Sequence, residues 1–255
     1  MTIGPRGQKP ALSPAAGLVG LVLLLGWAYL GWMDRGMRHM EVAADMWIMP
    51  QMASWGATDL ALVFLMWAVM MAAMMLPSAL PAILLVAKVS ASMKSQPGVG
   101  LTGAFVTGYL LTWCGFSLAA TLLQWGLIEA ALITPMMQSA SAALSTAMLI
   151  AAGIYQFTPL KNACLRQCQS PLGLVMDIAT GRRHALAAGL RHGFYCVGCC
   201  WALMGLLFVA GVMNLLWVLI IAGYVGLEKL LPRAAWLSRS AGVLLCTAGL
   251  WLAIA

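Results

Sequence analysis

Seven cysteines and nineteen methionines give this chain 26 sulfur atoms, against only three histidines and seven acidic residues. That donor set is too poor in carboxylate for hard cations and matches a soft metal ion. Five of the cysteines fall in two short segments. In the first, Cys164 and Cys168 are four residues apart, in a stretch that opens with Thr158-Pro159 and closes at Pro171. Threonine as N-cap, proline at the first helical position and proline as a stop predict a short helix at the membrane surface with both thiols on one face. In the second, His192, Cys196, Cys199 and Cys200 span roughly 100° of helix surface at 3.6 residues per turn. Gly189 and Gly193, also four apart, leave room for another helix or for the Cys164 segment to approach. Four thiolates from Cys164, Cys168, Cys196 and Cys199 would satisfy tetrahedral zinc, with Cys200 or His192 spare. Two or three of them would suit Cu(I). Cys114 and Cys246, each alone within an apolar run, read as small hydrophobes.

Eleven methionines lie between residues 33 and 75. Six of them (Met33, Met37, Met40, Met46, Met49 and Met52) stand in or beside a charged stretch with His39, Asp34, Glu41 and Asp45. The thioether is neutral and binds metal without losing a proton, and it favours Cu(I) over zinc. Met37, His39 and Met40 are therefore candidate outer ligands. Met66, Met70 and Met74 follow at i, i+4 and i+8, with Met71 and Met75 on the adjoining face. From Met66 to Met75 a helix rises about 13 Å. Pro77 and Pro81 follow, each lacking a backbone donor, and predict a kink that frees the carbonyls of Ala73 and Pro77. Methionine also fills apolar interiors, so this stripe alone reads as packing; the outer tract tips the balance toward metal.

These donors must be held by elements suited to lipid. Of 255 residues, 63% are hydrophobic and 8% charged, and the mean hydropathy is +0.93, whereas a soluble domain carries about 25% charged residues. The expected fold class is all-α, a single integral membrane domain in which a polytopic transmembrane helix bundle has about seven spans of about 20 residues each. The spans fall near 15–33, 59–87, 101–126, 138–157, 187–210, 213–230 and 236–255, with a break at Gly211-Val212-Met213-Asn214. Residues 1–14 are expected as a cytoplasmic tail, 34–58 as an outer Met-rich loop and 158–186 as a cytoplasmic Cys-containing loop. The first span has no small-residue cleavage pattern and reads as retained. With the N-terminus cytoplasmic, 12 of the 14 lysines and arginines fall inside and only Arg35 and Arg38 outside, as the positive-inside rule requires. The expected location is the bacterial inner membrane, multi-pass.

The net charge of +7 then serves topology and anionic headgroups rather than nucleic acid. Asp59 and Glu129 fall at expected helix ends, where they read as solvated. His184 and Arg191 read as headgroup anchors, and Trp27, Trp32, Trp47, Trp55 and Trp125 as interfacial belts. There is no phosphate-binding loop, dinucleotide fingerprint, internal repeat, Ser-His-Asp set or paired-carboxylate site, so no catalytic residue is assigned.

Three motifs carry a family resemblance. They are Met70-Met71-Ala72-Ala73-Met74-Met75-Leu76-Pro77, then Tyr155-Gln156-Phe157-Thr158-Pro159-Leu160-Lys161 leading to Cys164 and Cys168, and His192-Gly193 leading to Cys196-Val197-Gly198-Cys199-Cys200-Trp201. Together they resemble a bacterial family of predicted metal-binding integral membrane proteins of unknown function, sometimes labelled copper chaperone. The resemblance covers about residues 55–250 and implies a polytopic metal-binding protein without a known reaction.

The leading expectation is a Cu(I)-handling membrane protein, for transport or for delivery to a membrane copper enzyme, with a periplasmic metallochaperone as another partner. Lipid is the surrounding medium, and a homo-oligomer is compatible. A second expectation is a structural or assembly subunit with one Cys-ligated zinc. The third is a thiol redox module using Cys196 and Cys199.

Overall fold

A computed structural model describes residues 14–38, 56–92, 98–130, 141–170, 181–212, 214–231 and 235–254. Among the described residues there is no strand, and nine helices follow in chain order. They are α1 (Pro14–Arg38), α2 (Ala57–Ser92), α3 (Gly98–Glu129), α4 (Ala142–Gln156), α5 (Pro159–Gln169), α6 (Arg182–Gly205), α7 (Leu207–Ala210), α8 (Leu215–Leu230) and α9 (Ala235–Ile254). Helices are what a chain this apolar must form in lipid, since each backbone group is then satisfied within its own segment.

Among the described residues, four helices are long and apolar enough to cross a membrane. They lie in Ala57–Ala91, Gly100–Glu129, Arg182–Ala210 and Ala235–Ile254, and α4 with α5, bent by 63° between them, make a fifth if they form one broken span. The 16 residues of α8 rise only about 24 Å, short of a hydrocarbon core of about 30 Å. Helix ends also depart from the apolar boundaries: α1 continues to Arg38, into the stretch expected as loop, because helix propensity does not stop where hydropathy falls.

The break expected at residues 211–214 is present. Gly211 sits in the left-handed region at φ 92°, and the Asn214 side chain accepts from the Leu216 N–H at 3.2 Å to cap α8. By contrast α2 is one continuous helix through Pro77 and Pro81.

Close helix contacts rest on small residues. α3 packs along α6 and α2 along α3. A methyl group added to Gly189 would lie 2.9 Å from the Phe105 carbonyl carbon, and one added to Gly193 would lie 2.7 Å from the Thr112 Cβ. The opening that Gly189 and Gly193 leave is thus filled by α3. Replacing Gly189 by Val is expected to cost about 1–3 kcal/mol or more through overpacking, seen as a lower unfolding midpoint in detergent; an unchanged midpoint would refute this packing.

The pair α4–α9 uses the same device. A methyl group at Gly153 would meet Cys246 Sγ at 2.5 Å, and one at Gly249 would meet Ile150 Cγ1 at 2.8 Å. Cys246 is accordingly a packing residue. Leu24, Leu118, Phe194, Trp251 and Ile254 stay exposed, as lipid-facing side chains do.

Candidate metal-handling site

The thiols of α6 form the centre of the site. Cys196, Cys199 and Cys200 are buried at 1%, 1% and 0% exposure, on the arc that their spacing requires. The Cys199 and Cys200 thiols donate to the Cys196 carbonyl, at 3.1 and 2.9 Å. This is the usual helical refuge of a short polar side chain. His192, one turn earlier, is buried between the rings of Phe105 and Tyr109, with centroids 5.8 and 5.9 Å away.

α5 brings the second thiol pair to the first. Thr158 caps it, accepting from the Lys161 N–H at 3.3 Å, and Pro159 occupies the first turn. Cys164 rests against α6 where that helix has no side chain, since a methyl group on Gly198 would fall 2.8 Å from its sulfur. The Tyr155 hydroxyl donates to the Gly198 carbonyl at the same place. Cys164 and Cys168 both pack against the buried core that includes Cys196, Cys199 and Cys200. All the cysteines named are free thiols.

Three further residues complete the centre. Lys229 of α8 is buried and donates to Cys196 Sγ at 2.8 Å and to Ser78 Oγ at 3.1 Å, with Met75 Sδ at 4.0 Å. The Tyr109 hydroxyl lies 3.0 Å from Cys196 Sγ and 3.2 Å from the Met75 carbonyl. Met66, Met70, Met71, Met74 and Met75 are all buried. The methionine stripe of α2 therefore ends, at Met75, beside the thiols of α6.

Behind this centre stands a second buried charge group. Lys161 of α5 pairs with Glu228 of α8 at 2.7 Å, both side chains essentially without exposure. Lys161 also donates to Gln156 Oε1 and Ser238 to Glu228 Oε1, and the Tyr224 hydroxyl donates to Glu228 at 3.2 Å. Gln169 donates to the Glu228 and Leu231 carbonyls at 2.8 and 3.0 Å, so α5 is tied to the end of α8 through Lys161 and Gln169.

The structure thus places Cys196, Cys199, Cys200 and His192 on one buried stretch of α6, packs Cys164 and Cys168 of α5 against the same core, and buries Met66, Met70 and Met74 in α2. Met37 falls in the last turn of α1; His39 and Met40 lie outside the described residues. Among the described residues, no three His, Cys, Asp or Glu side chains form a metal cage. The buried thiols and thioethers are soft donors, suited to a soft metal ion.

Lys229, Tyr109, Met75 and the Lys161–Glu228 pair join the centre without any spacing motif that marks them as ligands. The positive-inside rule places Lys161 and Lys229 among the cytoplasmic cations, yet both are buried in protein. The signal that marks them is charge inside an apolar run: Glu228-Lys229 closes the stretch from Leu215 to Leu231. Such residues are rare in membrane helices and are retained for a partner or a function.

The fold and this centre define a class: an all-helical protein of membrane-crossing type with a buried thiol and thioether cluster. The family model described as PpoB2, copper chaperone, matches residues 64–252, and the chain belongs to that family. No curated protein and no solved structure matches. The matched region holds every residue of the buried centre and stops short of the tract at 33–52.

Proposed function

We propose that this protein takes Cu(I) as cargo in a bacterial inner membrane and passes it from buried thioethers to the thiols of α5 and α6, for transport or for delivery to a membrane copper protein. The observation that carries the reading is the position of Met75. It ends the buried methionine stripe and shares Lys229 with Cys196, at 4.0 and 2.8 Å. A thioether and a thiol thereby border the same ammonium group, and soft donors of both kinds prefer Cu(I).

In this reading the chain has seven spans, the shorter α8 and the α4–α5 pair being completed by their neighbours. The N-terminus is cytoplasmic, because the ten lysines and arginines that remain after setting aside buried Lys161 and Lys229 still outnumber Arg35 and Arg38. Met37, His39 and Met40 gather the ion on the outer side. A single structural zinc is the weaker reading, since it would leave the methionines without a role.

Protein purified anaerobically is expected to bind Cu(I), and replacing Met70, Met74 and Met75 with Leu is expected to lower copper transfer in cells at least about tenfold while leaving the fold intact, Leu and Met being near equal in volume. Absence of Cu(I) binding under reducing conditions would defeat the proposal.

A further inference from the structure

We propose that Lys229 is the fixed counter-charge of the thiol centre and that it restricts the cargo to a monovalent soft cation held by two thiolates. The inference rests on the function proposed above and specifies the charge of what that centre accepts. An ammonium group inside a lipid-embedded bundle is retained only beside an anion or at a functional site. The neighbouring buried cation, Lys161, has its carboxylate in Glu228. Lys229 has a thiol, a hydroxyl and a thioether instead: Cys196, Ser78 and Met75. Of the other carboxylates whose side chains are described, Asp59 stands in the first turn of α2 and Glu129 at the exposed end of α3. Neither is among its hydrogen-bond partners.

The charge count follows from the donors. Each thiol that ligates a metal gives up its proton. Cys196 and Cys200, one turn apart on the buried face of α6 with the Cys200 thiol 2.9 Å from the Cys196 carbonyl, would hold a monovalent ion as a complex of charge −1. Lys229, 2.8 Å from Cys196 Sγ, brings that to zero without any movement of protein charge. A divalent ion between the same two thiolates is already neutral and leaves the buried ammonium without a counter-ion, a state the low dielectric penalises. A third thiolate would restore balance for the divalent ion, but no three-ligand cage is assembled among the described residues. Selectivity between soft ions of similar thiol affinity is then set by an amine that touches no metal.

The test compares Ag(I), a redox-inert monovalent probe, with Cd(II), a thiophilic divalent one, by equilibrium dialysis against reduced protein in detergent. The proteins are wild type, Lys229→Met, Lys229→Gln, Lys229→Arg and Cys196→Ser. The Ag(I)-to-Cd(II) affinity ratio is expected to fall at least about tenfold in Lys229→Met and in Lys229→Gln, which keeps a donor without the charge, and to hold in Lys229→Arg. An unchanged ratio in both neutral variants, with Ag(I) binding still lost in Cys196→Ser, overturns the inference and leaves the proposed function standing. Failure of the wild type to take up Ag(I) and Cu(I), or wild-type binding by Cys196→Ser, removes the proposed function and this inference together. Wild type alone gives an independent check should the neutral variants not fold: Ag(I) stays bound against a tenfold excess of Cd(II), and its displacement overturns the inference.

Discussion

Cys196→Ser is expected to weaken Cu(I) binding by about a hundredfold or more, since losing even a group that supports a ligand costs 10- to 100-fold in affinity. Cys196 is the residue on which most of the centre's hydrogen bonds converge. It receives Lys229, lies 3.0 Å from the Tyr109 hydroxyl, and offers its carbonyl to Cys199 and Cys200. Serine keeps the volume and the hydrogen bonds, so the fold survives, but an alkoxide is not available as a soft ligand near neutral pH. Cys246→Ser is the matched control. Its sulfur packs against Gly153 at the α4–α9 contact, and its loss is expected to leave copper binding unchanged. Competition against a chromophoric Cu(I) chelator measures both. Equal affinities for wild type and Cys196→Ser would separate the thiol centre from copper.

The second large effect is on stability. Lys161→Met leaves the Glu228 carboxylate buried with only the hydroxyls of Tyr224 and Ser238 as donors. Breaking one side of a buried ion pair typically costs about 3–5 kcal/mol, while replacing both sides by apolar groups of similar size is near neutral. The double substitution Lys161→Met with Glu228→Met is therefore expected to recover most of the loss. The consequence reaches the site, because Lys161 lies on the helix that carries Cys164 and Cys168. Maleimide labelling of those two thiols should accelerate in Lys161→Met and return toward the wild-type rate in the double variant. An unfolding midpoint in Lys161→Met equal to that of wild type would show that the pair does not hold α5.

Much of this architecture is legible in residue types and spacing. The break at Gly211 to Asn214 follows from a glycine and a capping amide between two apolar runs. The start of α5 follows from Thr158 and Pro159, and the shared face of His192, Cys196, Cys199 and Cys200 from helical geometry. Gly189 and Gly193 announce a close approach without naming the helix that makes it. Hydropathy is less informative on span number. It counts apolar length, whereas α8, and α4 and α5 taken singly, are short of a bilayer.

The buried charges show where sequence reasoning stops. Lys161 and Lys229 look like headgroup cations because each stands near the end of an apolar run, and a long side chain there ordinarily reaches toward water. Whether it does so depends on what the next helix offers. Here α8 presents Glu228 to Lys161, and α6 presents Cys196 to Lys229. Those partners are 67 and 33 residues distant in the chain.

Residue types and spacing suffice for a helical, strongly apolar protein with soft sulfur donors on separate segments, since hydropathy, helical period and donor chemistry are properties of local residues. Only the tertiary structure decided that Met75, Cys196 and Lys229 meet at one point and that Lys161 locks α5 against α8. Contacts between helices depend on how their surfaces interlock, through pairs such as Gly189 with Phe105 and Cys164 with Gly198, and no local pattern encodes which surface meets which.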